Sequence, residues 1–464
     1  MRILGFGLQW LALVLASAMA QGQQAVEGAP QPPNVILLVV DDMGWRDPGF
    51  MGSRFYSTPH MDALAQEGVV FNAAYSAGPN CAPSRASLQT GRYTPRHGIL
   101  TVGNQRRGKR ERRSLRVPDS LTVLAQEEIT LGEVFSEAGF ATGHVGKWHL
   151  GKDPRTQGYA FNYGGGKWGH PPAGYHMPLK LPGTEDARED AYLTELEGDA
   201  ALEFIRENQH RPFFLHLAHY AVHTPIQPPK GGAAAFKDRP EDQGQKNPSY
   251  AAMLASVDQQ LGRIRSLLSE LDLRQRTLLI LTSDNGGHGG VTSMLPLAGW
   301  KGTLREGGIR VPLVFCQPGR LGADQRRSEP VHHVDLLPTL VGWCGIQGPE
   351  ESVELDGQDL SGFLLGQGHL AERPLFWHFP RYLQGKGPDD PNWRTTPCSV
   401  LRRGRWKLVE FYDDGRRTLH DLEADMGESK DLSETHPDEV RSMARELDTW
   451  RKAIHAAMPQ EIDS

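Results

Sequence analysis

A thiol and a guanidinium stand four residues apart in Cys81-Ala-Pro-Ser-Arg85, and Leu88-Gln-Thr-Gly-Arg92 follows shortly after. Elsewhere, Asp41-Asp42 and Asp284-Asn285-Gly-Gly offer three carboxylates and an amide oxygen. Oxygen donors without a thiolate among them suit Ca²⁺ or Mg²⁺ and disfavour zinc. Lys147, His149, His223 and Lys301 add ammonium and imidazole groups able to bind an anion and move protons. Taken singly, each has a plain structural reading. Adjacent acids often start turns, and a lysine or histidine after a strand is usually solvated. Their meaning depends on whether the fold gathers them.

Residues 34–40 form an unbroken apolar run rich in β-branched side chains, the pattern of a parallel strand buried on both faces. Residues 212–217 and 277–281 repeat it, 311–315 is strand-like, and 141–145 predicts a shorter strand. Amphipathic helical patterns at 59–67, 131–138, 187–208 and 250–271 alternate with these runs. The alternation predicts an α/β fold with a large, mixed, mostly parallel sheet sandwiched by helices. In such sheets ligands sit beyond the carboxyl ends of the strands. Asp41-Asp42, Lys147-Trp-His149, His219 with His223, and Asp284-Asn285 all follow predicted strands. Four strand ends would therefore place a hard-cation site beside a cationic, anion-binding one. Beyond residue 366, short strands at 398–407, 407–412 and 417–420 and a helix at 437–457 predict a smaller antiparallel subdomain over 367–464, appended to a catalytic domain over 34–366.

Arg2, an apolar stretch at 3–16 and Ala18-Met19-Ala20 form the pattern of a cleaved export signal over 1–20, with a Gln-, Gly- and Pro-rich leader at 21–33. No later stretch is apolar enough to span a bilayer, so the expected location is periplasmic or extracellular, without stable membrane insertion. A net charge of -6 supplies no basic excess for nucleic acid. The four cysteines are too dispersed for a disulfide-stapled scaffold. Cys316 and Cys344 read as small buried hydrophobes. A bridge among Cys316, Cys344 and Cys398 stays open, as does the oligomeric state.

The Cys81 motif, with Thr90-Gly91-Arg92 downstream, resembles the signature of the type I, formylglycine-dependent sulfatases, of the arylsulfatase A and N-acetylgalactosamine sulfatase kind within the alkaline phosphatase superfamily. Asp41-Asp42, Gly146-Lys147-Trp148-His149, His223-Thr-Pro225, Asp284-Asn285-Gly286-Gly287 and Gly299-Trp-Lys301-Gly302 resemble family positions in the family's order, from about Asn34 to the chain end. The resemblance implies a sulfuric ester hydrolase in which a maturation enzyme oxidises Cys81 to Cα-formylglycine. One hydroxyl of the hydrated aldehyde attacks the sulfate sulfur, and the other later expels sulfate. It also implies one Ca²⁺ per chain, held by Asp41, Asp42, Cys81, Asp284 and Asn285. Arg85 would keep diol and carboxylates in register, and Lys147 and Lys301 would neutralise sulfate oxygens. His149 would be the base that triggers sulfate release, and His223 would protonate or bind the departing alcohol.

The substrate implied is a sulfated carbohydrate, with galactose or N-acetylgalactosamine sulfate favoured. The alternative is a formylglycine-dependent phosphonate or phosphodiester hydrolase of the same superfamily. A non-catalytic glycan-binding scaffold would have lost Cys81, Lys147 or a metal aspartate, and all are present. Candidate substrate contacts are Trp168, His170 and His176, where aromatic faces beside polar groups suit sugar stacking, together with His288 and Arg305. Residues 378–382 are expected to close the pocket's other side. The run 106–116 holds seven basic residues in eleven and reads either as a solvated loop or as a rim that attracts a polyanion. His144 and His216, inside predicted strands, read as packed and hydrogen-bonded.

Overall fold

The computed structural model describes residues 31–104 and 107–462, so the expected export signal and nearly all of the leader lie outside the described residues. The described residues from Pro33 onward form one compact unit. Among the described residues, no helix is long and apolar enough to cross a membrane. The main sheet is built in chain order from β1 (Asn34–Val40), β2 (Val69–Tyr75), β3 (Ala141–Gly146), β4 (Phe161–Tyr163), β5 (Phe213–His219), β6 (Thr277–Ser283), β7 (Arg310–Cys316), β8 (Gln325–Arg327) and β9 (Val331–His332). Its strands lie in the order β9-β2-β7-β6-β1-β5-β3-β4, with β8 also paired to β2. From β6 to β4 every pairing is parallel, and β7 alone runs against both of its neighbours.

Helices cover both faces. Ile36, Leu38 and Val40 of β1 pack with α1 (Pro59–Gln66), α4 (Leu193–Glu207) and α5 (Pro248–Glu270). Val35, Leu37 and Val39 face α2 (Cys81–Thr90), α3 (Leu131–Glu137) and α6 (Leu336–Cys344) on the other side. Every residue of β1 is buried, as a strand covered on both faces requires. Local chemistry sets the helix starts. Thr130 and Glu133 form a capping box for α3, and the Asn247 side chain caps α5 ahead of Pro248 at its first position.

Several boundaries differ from the sequence pattern. The helix expected over 187–208 begins only at Leu193, because the acidic stretch before it makes turns rather than an apolar face. The closing helix ends at Ala453 rather than residue 457, and His455 beyond it takes a positive φ of 52°. The strand expected over 398–407 is broken by a turn at Gly404, whose φ of 54° suits glycine. Strand β2 escapes the pattern because Asn72 and two alanines dilute its apolar run, and its pairing slips between Phe71 and Ala74.

The second sheet consists of β10 (Leu375–Phe379), β11 (Cys398–Arg403), β12 (Trp406–Phe411) and β13 (Arg417–Asp421), antiparallel in sequential order. Helix α7 (Pro437–Ala453) covers it, with Trp450 stacked on Phe376 at 4.5 Å between ring centroids. A buried ion cluster ties this sheet to the loop that follows Lys301. Lys407 Nζ lies 2.9 Å from Glu306 Oε1 and 2.9 Å from Glu428 Oε1. The Tyr75 hydroxyl donates to Glu306 Oε2 at 2.7 Å. All four cysteines are free, so the possible bridge does not form; burial pushes the Cys316 and Cys344 thiols up to about 12.

Removing one partner of a buried ion cluster strands the others. Lys407→Met is expected to cost about 3–5 kcal/mol in denaturant unfolding. A loss below about 1 kcal/mol would contradict the structural role assigned to the cluster. Acid should also destabilise the fold. Burial holds His144 down to about 3 and His378 down to about 4. The unfolded chain takes up protons below its ordinary value of 6.5 that these folded-state imidazoles refuse. Stability is therefore complete above that value and falls as pH drops below it, by about 1.4 kcal/mol per such histidine at about pH 5.5. Equal denaturation midpoints at about pH 7.5 and 5.5 would contradict this.

Candidate active site

Four neighbouring parallel strands end on one edge of the sheet, in the order β6, β1, β5, β3. Their register aligns the ends, with Val40 opposite both Ser283 and His219, and Gly146 opposite Ala218. The next residues are Asp284-Asn285, Asp41-Asp42, the turn leading to His223, and Lys147-Trp-His149. Asp42 and His149 both adopt left-handed backbone, with φ of 60° and 64°. Asp and His tolerate that conformation better than most residues, and it turns each chain sharply at the strand end.

Helix α2 brings the thiol. Cys81 is its first residue, Pro83 sits in the first turn where no amide bond is lost, and Gly91 caps the other end at a φ of 67°. That cap explains the glycine of Thr90-Gly91-Arg92. All ten residues of α2 are buried, although half are polar, so their hydrogen bonds must be internal. Ser87 Oγ pairs with His97 Nε2 at 2.9 Å, and Tyr159 donates to Gln89 Oε1 at 2.8 Å. His333, unassigned by the sequence, sits between α2 and β6, 3.4 Å from Ser84 Oγ and 3.2 Å from Thr282 Oγ1.

The carboxylates of Asp41, Asp42 and Asp284 have no solvent exposure, and each meets a cation. Arg85 donates from Nε to Asp284 Oδ2 at 2.9 Å and from Nη1 to the Lys147 carbonyl at 2.8 Å. Lys147 Nζ donates to Asp41 Oδ2 at 2.6 Å, and Lys301 Nζ lies 2.7 Å from Asp42 Oδ1. Burial pushes Asp41 up and the neighbouring Asp284 charge adds to it, outweighing Lys147. Against the same burial, Arg85 holds Asp284 down to about 2. Burial alone would raise the Cys81 thiol, but Lys147 and Lys301 overcome it and hold the thiol well below its usual range. His149 hydrogen-bonds to Cys81, and burial keeps its imidazole down at about 4, neutral at pH 7. His223 Nδ1 donates to the Thr224 carbonyl at 2.8 Å, which leaves Nε2 facing Asp42 Oδ2 at 3.6 Å.

The donor set fits a hard cation. The ligand atoms of Asp41, Cys81 and Asp284 lie within 4.8 Å of one another, as do those of Asp42, Cys81 and His223. Asp41 Oδ1 and Asn285 Oδ1 are buried without a hydrogen-bond partner. Such orphaned acceptors cost about 1–3 kcal/mol each unless a ligand claims them. The Asn285 amide is oriented by donating from Nδ2 to Asp42 Oδ1 at 2.8 Å.

A pocket of about 210 Å³ opens over this cluster, lined by Cys81, His149, His170, His223 and Lys301, and by Asn80, Arg107 and Arg394. His170 is exposed, with its ring near-parallel to that of His223 at 6.4 Å. The other expected substrate contacts lie outside this lining. Trp168 packs half-buried on the main core, and His176 pairs through Nε2 with the Pro228 carbonyl at 3.1 Å. Arg305 is taken up by Asp389 and by His420, 3.0 Å from its Nη1. His288 is half-buried and feels the Asp42 charge but accepts from Gly290 N at 3.2 Å. The 378–382 stretch does not close the pocket. His378 is buried against Ser399 Oγ at 2.7 Å, and Leu383 and Arg394 form that wall instead. Of the basic run, Arg107 reaches the pocket and Arg112 bonds Asn392 Oδ1 at 2.6 Å, while Arg106 lies outside the described residues.

The chain is similar to known proteins along most of its length. The sulfatase family model matches residues 33–346, and a model described as the C-terminal part of N-sulphoglucosamine sulphohydrolase matches 299–453. The chain is 33% identical over 400 residues to N-acetylgalactosamine-6-sulfatase of Canis lupus familiaris, covering 80% of this chain and 72% of that one. It is 32% identical over 448 residues to human (Homo sapiens) arylsulfatase A, covering 87% and 78% respectively. The crystal structure of Ps i-CgsB superposes with a TM-score of 0.77 at 29% identity, over 90% of this chain and 93% of that one.

The ring of His149 is held by contact with a glycine. A Cβ at Gly169 would lie 2.5 Å from His149 Cε1, so Gly169→Ala must displace the imidazole. Sulfate-ester turnover is expected to fall roughly 10- to 100-fold in this variant, the loss that ångström-scale misplacement produces. Undiminished turnover would show that the His149 position is not needed.

Proposed function

This chain belongs to the sulfatase family and is a sulfuric ester hydrolase; from that premise we propose that it removes sulfate from a sulfated carbohydrate through a formylglycine made from Cys81. The observation that carries this reading is the convergence of Cys81 with Asp41, Asp42, Asp284 and His223 at one sheet edge. The relatives point the same way: one is named for N-acetylgalactosamine-6-sulfate, and Ps i-CgsB has been crystallised with k-i-k-neocarrahexaose. Galactose or N-acetylgalactosamine sulfate is the substrate proposed. Export to the periplasm or beyond, and maturation by a formylglycine-generating enzyme, complete the proposal.

Calcium held by Asp41, Asp42, Asp284, Asn285 and the matured Cys81 side chain would supply Lewis-acid charge at the reacting oxygens. The hydrated formylglycine supplies one hydroxyl to attack sulfur and a second to let sulfate leave. The remaining work falls to side chains already in place. Lys147 commits one N–H to Asp41 Oδ2 and Lys301 lies 2.7 Å from both oxygens of Asp42, so each ammonium keeps at least one N–H for sulfate oxygens. Their charges are fixed before substrate arrives, so little reorganisation is needed as negative charge builds. Arg85, locked on Asp284, holds the first turn of α2 against the strand ends. His149 is neutral and bonded to the position-81 side chain, so it can take a proton there. His223 offers Nε2 to the departing alcohol oxygen, because Nδ1 is tied to a carbonyl.

The purified, matured chain should release sulfate from sulfated galactose or N-acetylgalactosamine derivatives faster than it turns over phosphonate or phosphodiester analogues. The opposite preference would favour the alternative superfamily reaction. Chelation should lower turnover at least roughly 100-fold, with Ca²⁺ restoring it in the native chain but not in Asp42→Asn. Turnover indifferent to chelation would contradict the metal assignment.

A further inference from the structure

The pocket around Cys81 carries two positive charges beyond those that the aspartates match. Arg85, Lys147 and Lys301 each face a carboxylate, within 2.8 Å, 2.6 Å and 2.7 Å respectively. Arg107 and Arg394 line the same pocket, and neither has a carboxylate salt-bridge partner among the described residues. The Nε atoms of both are buried and without a hydrogen-bond partner. Arg107 spends one donor, Nη2, on the Val102 carbonyl at 3.1 Å. Burial and then the Arg107 charge pull Arg394 below its usual value. Two guanidinium groups held close together, partly dehydrated and unpaired, raise the free energy of the empty pocket.

The stem of Arg394 is closely seated. A Cβ at Gly302 would fall 2.6 Å from Arg394 Cδ, and one at Gly387 would fall 2.9 Å from Arg394 Cα. Arg394 also borders a second cavity of about 320 Å³, whose lining includes Arg305 and Arg416 but also Asp389, Asp390, Asp413 and Asp414, so the unmatched positive charge is confined to the Cys81 side of Arg394.

Resting on the sulfate-ester reading above, we propose that Arg107 and Arg394 form a second anion site, which binds a further oxyanion carried by the same substrate. The oxyanion is a second sulfate or a carboxylate, set on the reacting sugar or its neighbour. The planar, multi-donor guanidinium suits either group, and paired arginines prefer two oxygens to one. The preferred substrate is thus a glycan bearing negative charge beyond the sulfate that is removed.

Binding rather than turnover tests this, because binding does not depend on the chemistry at Cys81. Calorimetry on the full-length Cys81→Ala chain would compare a monosulfated galactose disaccharide with its disulfated and its uronate-bearing counterparts. The second oxyanion should tighten Kd roughly 10- to 100-fold, as charge-assisted hydrogen bonds do. That gain should vanish in Arg394→Met or Arg107→Met, persist largely in Arg394→Lys, and differ between the sulfate and carboxylate arms according to which group the site takes. Equal Kd values for mono- and dianionic ligands would overturn the proposal. So would an equal weakening of both by Arg394→Met, which would assign these arginines to the scissile sulfate. Failure of the underlying reading looks different: the cysteine-bearing chain releases no sulfate from any of the three, whatever their affinities.

Discussion

Everything at this sheet edge depends on keeping three carboxyl groups in a dry interior. Asp41, Asp42 and Asp284 have no exposure to water, and bare charges there would cost far more than the fold can supply. Each therefore needs a cation, and the cations come from distant parts of the chain: Arg85 on α2, Lys147 after β3, and Lys301 in the loop before β7. A polar helix can be buried because its arginine belongs to this network and its other polar groups are bonded internally. The second sheet is drawn in by the same logic, since Lys407 must lie between Glu306 and Glu428 for the loop after Lys301 to close. Balance is nearly reached without a metal, yet Asp41 Oδ1 and Asn285 Oδ1 stay orphaned. Those two oxygens are the acceptors that the proposed Ca²⁺ would claim.

Much of this edge was legible before any coordinates. Buried parallel strands need continuous apolar runs, and β1, β5 and β6 have them, so the residues after those runs had to share an edge. What failed to show were features that depend on partners far away in sequence. The antiparallel pairing of β7 and the diluted strand β2 follow from neighbours, not from local pattern. His333, bracing α2 against β6, carries no local signal at all.

The substrate side was the least legible, for a physical reason. Catalytic groups are held by strand ends, whose positions follow from topology, whereas pocket walls come from loops whose course does not. Trp168, His176 and Arg305 have suitable chemistry but are claimed by the core, by a backbone carbonyl and by Asp389. Arg394 lies in a segment that gave no cue, yet it borders the pocket, and among the described residues it has no carboxylate ion-pair partner and its Nε no hydrogen-bond partner. A charge left unmatched is visible only after every other pairing is known.

The most direct measurement is the mass of the peptide containing Cys81, isolated from chain produced with a formylglycine-generating enzyme. An aldehyde in place of the thiol, present in active chain and absent from inactive chain made without that enzyme, is the predicted result. An unmodified cysteine in chain that hydrolyses sulfate esters at full rate would contradict it.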